Sequence, residues 1–483
     1  MPNFPDKIRP AQLCSQTSHV VPGGFKITEL QMTVPLDHSY PDNHRTLALF
    51  ARSVSKNEHP TMPRKELSQG AGKTPIFENQ DPKPFFCYLE GGPGFGNAKP
   101  QDSPVTHFLV DRGYKVIFVD YRGTGFSTPI SAATLALQGD DKAQARYLKF
   151  FRADSIVMDL EAVRLKLTAG YPEELHKWSI IGQSFGGFVS LTYLSFFPKS
   201  LTEVFLTGGL APVNKPPKVV YTHLADRVCK RNAAYYSKYS EDRDRVFEIA
   251  TYLKKTPVVM PHGGYLSAER FMGLGIMFGS HGGLDAVHEI VLRIKTDLDT
   301  FGFPTFQALS MVEDALPFET NPIYAILHEA IYNYEAGISS NWAAYRVVQN
   351  DVRFSWLSNP KQLSSPHKEY EQELYFSGEM VFPFHFDTFA ELKQMKGAAD
   401  ILARTTDWSQ LYDVNTLQHN TVPVYAACYL DDMYVDFDLA QETAGMIKTI
   451  KTYITNALYH NAIRAMGDKV LQELFRLRDD TLD

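Results

Sequence analysis

Apolar positions along this chain follow two rhythms. In 25-FKITELQMTVPL-36 and 46-TLALFARSV-54, apolar and polar residues alternate in part and β-branched and aromatic side chains are frequent. A period of two predicts half-buried strands, here an antiparallel pair. Between Ser55 and Pro84 the chain turns polar and proline-rich, the composition of an exposed loop. The apolar runs then become short and continuous: 85-FFCYLE-90, 115-KVIFVD-120, 177-KWSIIG-182 and 203-EVFLTG-208, each bounded by glycine-rich or charged turns. Helical spacing occupies 155-SIVMDLEAVRLKL-167, between two of these runs. Fully apolar strands alternating with helices predict a mostly parallel sheet covered on both faces.

That rhythm stops near Pro212. Residues 213 to 415 hold helix-like segments, many aromatic residues and loops, with no comparable series of strand runs. It resumes at 422-VPVYAACYL-430 and 450-IKTYITNAL-458, and the chain closes on a helical tail, 461-NAIRAMGDKVLQELFRL-477. The pattern predicts an α/β domain, 1–212 and 416–483, interrupted by a mainly helical insertion, 213–415. That insertion is far longer than an ordinary connection between elements, and long insertions are usually functional.

Composition narrows the classes of partner. With 483 residues, 44% hydrophobic and 21% charged, the chain has the make-up of an ordinary globular protein. Its formal net charge is -7 and no block of Lys or Arg stands out, so a nucleic-acid partner is not expected. Cys14, Cys87, Cys229 and Cys428 are far apart, with no C-x-x-C pair and no metal-ligand spacing. The beginning, MPNFPDKIRP, lacks the apolar run of a signal peptide, and no stretch of about 18 apolar residues occurs. These features point to a cytoplasmic protein with no membrane partner, and nothing in them asks for a metal or another cofactor.

The chemistry concentrates in 180-IIGQSFGGFVS-190, where three glycines surround one serine. A buried strand followed at once by a helix must turn within about two residues, which forces Ser184 into a strained conformation and requires small neighbours. Gly182 and Gly186 satisfy G-x-S-x-G, and the turn leaves the serine hydroxyl exposed at the carboxyl end of the sheet, at a helix N-terminus. A serine nucleophile needs a carboxylate and a histidine later in the chain. Asp431 and Asp432 follow the strand at 422–430, and His460 follows the next strand-like run. Oxyanion donors are also required. The turn Gly91-Gly92-Pro93-Gly94 brings bare N–H groups, that of Gly92 among them, toward the serine, and Phe185 supplies a second. His262-Gly263-Gly264 and His281-Gly282-Gly283 imitate esterase oxyanion motifs but fall inside the insertion, where they read as loops. His328-Glu329 lacks the second histidine of a zinc-protease helix, since Tyr332 stands there.

The combination of 91-GGPG-94, 120-DYRGTGFS-127 and 182-GQSFGG-187 resembles the proline iminopeptidase (prolyl aminopeptidase) family of α/β-hydrolases, serine peptidases that remove an N-terminal proline. The length of the insertion, with 321-NPIYAILHEAIYNYE-335 and 375-YFSGEMVFPFHFD-387, is similar to the longer subgroup, whose cap is enlarged. The resemblance implies an α/β-hydrolase fold with a large helical cap, a Ser184, Asp432, His460 triad and short peptides with N-terminal proline as substrates. Asp432 is preferred to Asp431 because the acid of this fold typically falls nine residues after the proline of a V-P-V strand, here Pro423. Glu90 stands where the family usually has histidine, and Tyr459, rather than glycine, precedes His460. An exopeptidase acting on proline must hold a free cationic amine, and burying that cation calls for carboxylates. Glu329 and Glu379, in apolar and aromatic surroundings, are the candidates. A carboxylesterase or broad amidase with the same triad, and an inactive α/β-hydrolase kept as a binding protein, are the competing readings; the oligomeric state is left open.

Overall fold

The structure is a computed structural model and describes residues 4–5, 7–57, 82–358 and 373–480. Nine strands form the main sheet: β1 (Gln12–Val21), β2 (Phe25–Pro35), β3 (Thr46–Lys56), β4 (Phe85–Leu89), β5 (Lys115–Asp120), β6 (Trp178–Gln183), β7 (Leu201–Thr207), β8 (Val424–Tyr429) and β9 (Ile450–Thr455). Their order is β1-β2-β3-β5-β4-β6-β7-β8-β9. The pairs among β1, β2, β3 and β5 are antiparallel, and every pair from β5 to β9 is parallel. This is the α/β-hydrolase arrangement, a mostly parallel sheet flanked by helices.

Side chains of the central strands divide between two cores. Phe86, Tyr88, Val116, Phe118, Ile181 and Phe205 pack on one face against Leu109 and the C-terminal residues Leu471, Leu474 and Phe475. Their neighbours Phe85, Cys87, Leu89, Ile117, Val119 and Ile180 pack on the other against the helices Ala153–Thr168 and Phe185–Phe196. With both faces dry, a polar residue at any of these positions would lose its water, which explains the uninterrupted apolar runs.

Three features differ from the pattern. Strand β1 was not anticipated: all its positions are exposed or half-buried, so it carries no apolar signature. The helical tail breaks at Met466 into Ala462–Ala465 and Gly467–Asp479. At Gly467 a Cβ would come within 2.5 Å of Pro104 Cγ, a close approach that only glycine permits. The expected loop 55–84 lies mostly outside the described residues, and Ser55 and Lys56 still belong to β3. Between β7 and β8 the chain is mainly helical, with Pro217–Lys238 and Gly283–Phe301 the longest helices. A two-stranded hairpin, Val258–Val259 with Tyr265–Leu266, is the one unexpected β element described there.

The strand order places a chain reversal at β4. One connection leads from β4 outward to β5, and the next returns past β4 to β6. Helices leave to opposite faces at such a point, opening a crevice beyond the strand ends. Leu89 of β4 pairs with Gly182 of β6, so Gly91-Gly92 and Ser184 emerge side by side.

Candidate active site

Ser184 occupies the turn between β6 and the helix Phe185–Phe196 with φ 54 and ψ -122, a conformation costly for any side chain. The surrounding glycines make this turn possible. A Cβ at Gly182 would lie 2.3 Å from the Gly186 carbonyl oxygen, and one at Gly186 would lie 2.0 Å from that of Leu89. At Gly91 it would come within 3.2 Å of the Ser184 Cβ, which shows how closely the β4 turn approaches the serine.

The two other residues arrive from β8 and from the segment after β9. His460 Nε2 lies 2.8 Å from Ser184 Oγ, and His460 Nδ1 lies 2.7 Å from Asp432 Oδ2. The other oxygen, Asp432 Oδ1, accepts the N–H groups of Tyr434 and Val435 at 2.9 and 3.0 Å. A carboxylate on Nδ1 favours a proton there and leaves Nε2 free to accept from the serine hydroxyl. Asp431 is exposed on the outer side of the same turn. Burial by itself pushes His460 down, but the charge and hydrogen bond of Asp432, helped by the charge of Glu379, outweigh it and hold the imidazole above its ordinary value. Gly208, with φ 53, leaves room here: a Cβ at this position would meet His460 Nδ1 at 3.1 Å.

The serine is not exposed as expected. Ser184 and His460 are only 8% and 7% accessible, because the helical segment between β7 and β8 closes over the strand ends. Tyr324 N would sit 2.7 Å from a Cβ on Gly94, and His460 N donates to the Gly279 carbonyl at 3.3 Å.

The two glutamates fare differently. Glu379 lies under this cover, with one oxygen held by the Tyr324 hydroxyl and the other 3.8 Å from His328 Nε2. Burial raises its carboxyl to about 7, against the lowering effects of His460 and the Tyr324 hydroxyl; the Asp432 charge adds to the rise. Glu329 is turned to another task. Its two oxygens accept the N–H groups of Ala343 and Ala344 at 3.2 and 2.9 Å, at the start of the helix Ala343–Val348. That is the capping alternative, favoured by the unpaired N–H groups and partial positive charge of a helix start.

Glu90 follows β4 directly. Its carboxylate accepts the Gly91 N–H at 2.7 Å and pairs with Arg464, four residues beyond His460. Glu90 thus ties the glycine turn to the histidine-bearing segment, and it occupies the Gly91 donor while leaving Gly92 out of this contact. His281 also reaches that segment, its N–H and Nδ1 both on Asn461 Oδ1 at 2.9 and 2.8 Å. His262 is exposed and pairs with the half-buried Glu313. Sequence reasoning missed Tyr324, His328, Tyr434 and Arg464, which look like core or surface residues until the fold assembles them.

Among the described residues, His223, Asp436 and Asp438 could approach one metal ion. Arg227 already bridges the two aspartates at 2.7 and 2.9 Å, so a cation is present in that cluster. No described helix is long and apolar enough to cross a membrane.

The family model for the α/β-hydrolase fold matches residues 84–245. Among solved structures, a proline iminopeptidase of Mycobacterium smegmatis aligns with 93% of this chain and 97% of its own, at 13% identity and a TM-score of 0.42. Sequence relatives are much nearer. A proline iminopeptidase of Aeromonas sobria is 37% identical over 96% of this chain and all of its own length. A proline iminopeptidase of Aspergillus aculeatus is 40% identical over 99% of both chains. Since both alignments span nearly the whole of this chain at 37 to 40% identity, the chain belongs to the proline iminopeptidase family of α/β-hydrolases.

Proposed function

We propose that this protein is a serine exopeptidase that releases N-terminal proline from short peptides through an acyl-enzyme intermediate. The observation that carries the reading is the hydrogen-bonded chain Asp432, His460, Ser184 with a largely enclosed carboxylate, Glu379, its side chain 11% accessible, close enough for its charge to act on His460. Ser184 Oγ attacks the prolyl carbonyl while His460 Nε2 takes its proton and then returns it to the leaving amine. Water repeats the sequence on the acyl-enzyme. Asp432 fixes the imidazole and stabilises its charged form. The oxyanion is held by the N–H groups of Phe185, the first residue of its helix, and Gly92. Residues 213–415 act as a cap that excludes water and carries the amine site, in which Glu379 is the counter-charge and Glu329 a support. Four unpaired cysteines agree with a cytoplasmic location.

The amine site is tested with Glu379→Gln. Loss of the counter-charge leaves a desolvated ammonium unpaired, at a cost of about 3 to 5 kcal/mol in kcat/KM for prolyl-naphthylamide. Hydrolysis of p-nitrophenyl acetate, which has no amine, is expected to change little. Equal loss on both substrates would reassign Glu379 to support of the triad. An esterase without an amine site would process N-acetylated substrates as well as free ones, and an inactive protein would not react with a fluorophosphonate.

The same groups set a pH dependence. Glu379 must be charged to hold the ammonium, and with its carboxyl at about 7 it gains a proton as pH falls through that value. His460 must be neutral to act as base, and it too gains a proton on the acid side. Below neutrality, log kcat/KM for the prolyl substrate is expected to fall with a slope of about two, against about one for the ester. In Glu379→Gln both slopes should be about one. Parallel profiles in the wild-type protein would show that Glu379 need not ionise.

A further inference from the structure

One buried group beside this site has no part in the mechanism above. His328 is 1% accessible, and neither ring nitrogen has a hydrogen-bond partner among the described residues. Buried polar atoms are nearly always paired, and an unpaired set in an otherwise packed region marks a place where something else binds. Nε2 is 3.8 Å from the Glu379 oxygen that the Tyr324 hydroxyl leaves free. The rings of Tyr324 and Tyr332 stand edge-on to the imidazole, their centroids 5.4 and 6.4 Å away. The segment is held firmly: Arg152 donates to the carbonyls of Ala330 and Asn333 at 3.3 and 2.9 Å, and Glu329 is fastened to the next helix.

Resting on the amine site assigned to Glu379, we propose that His328 is a second substrate-binding residue, its imidazole accepting one N–H of the prolyl nitrogen while Glu379 accepts the other. An N-terminal proline carries a secondary ammonium with two N–H bonds, and these two acceptors lie side by side for it. A tetrahedral nitrogen making two bonds of about 2.9 Å separates its acceptors by about 4.7 Å, so the pair opens by about 1 Å on binding. Burial pushes His328 down to about 4, only partly opposed by the main chain of Glu379, whose geometry falls short of a hydrogen bond. A neutral imidazole accepts a hydrogen bond through its unprotonated nitrogen and adds no positive charge beside the substrate cation, whereas an imidazolium would repel it.

The test uses His328→Leu, which removes the acceptor, and His328→Gln, which offers an amide oxygen in its place. For prolyl-naphthylamide, His328→Leu is expected to lower kcat/KM about 10- to 100-fold, mainly through KM. His328→Gln should recover a substantial part, and p-nitrophenyl acetate hydrolysis should stay within about twofold of wild type in both. Undiminished prolyl activity in His328→Leu, equal losses on the ester, or a glutamine variant no better than leucine would overturn the assignment. Wild-type protein that hydrolyses the ester but no prolyl amide would overturn the amine site as a whole. If His328→Leu does not fold, the imidazole nitrogen resonances of Ser184→Ala protein decide the matter on addition of L-prolinamide. A shift at His328 supports the contact, and its absence at saturation refutes it.

Discussion

Ser184→Ala is expected to lower kcat on prolyl-naphthylamide by about 10⁶-fold while leaving a folded protein. The magnitude follows from serine hydrolases in general, where loss of the nucleophile alone removes nearly everything the triad contributes. A residual rate of about 10³ to 10⁴ over water remains from the oxyanion donors and substrate binding. The structural cost is small by comparison. Among the described residues the hydroxyl makes one hydrogen bond, to His460, worth about 1 kcal/mol. Alanine meets the same strain as serine at φ 54, and the nearby glycines keep their contacts. Activity, a thermal melt and fluorophosphonate labelling check the prediction together. A variant that folds and turns over near the wild-type rate would remove Ser184 from the mechanism.

Asp432→Asn is expected to lower kcat by about 10⁴, the figure known for the equivalent change in chymotrypsin-type enzymes. The asparagine keeps shape and can still accept the N–H groups of Tyr434 and Val435 through its oxygen. What it presents to His460 is then an NH₂ donor, which favours the tautomer whose proton sits on Nε2, where it blocks acceptance from Ser184. Asp431→Asn, on an exposed side chain, is expected to change kcat by less than about twofold. The reverse ranking, measured on the same prolyl substrate, would mean that the carboxylate facing His460 in solution is the other one of the pair.

The two aspartates also show where sequence reasoning reaches its limit. A strand end can be located by its apolar run, and the order serine, acid, histidine follows from the connectivity of the fold. Which of two adjacent carboxylates turns inward depends on the dihedral angles of a single turn. Apolar periodicity carries no information at that scale, and the choice of Asp432 came from the spacing of the family. In the structure the N–H groups of Tyr434 and Val435 capture Asp432, and Asp431 is left to water. Glu329 and Glu379 were indistinguishable for a related reason. Both stand in apolar, aromatic segments, and only the position of the helix Ala343–Val348, fourteen and fifteen residues from Glu329 at its first two residues, diverts one of them to capping.

By itself, then, the sequence determined the central strands, the covered sheet, the glycine-framed turn at Ser184 and the helical character of the long insertion. Each of these is enforced locally or by burial, since a dry strand must be apolar and a tight turn must be small. The tertiary structure alone decided the burial of Ser184, the polar edge strand β1, the link from Glu90 to Arg464 and the gathering of Tyr324, His328 and Glu379 near His460. Those features depend on groups more than fifty residues apart or on hydrogen bonds to the main chain. Neither leaves a period along the chain, so they exist only once the elements have packed.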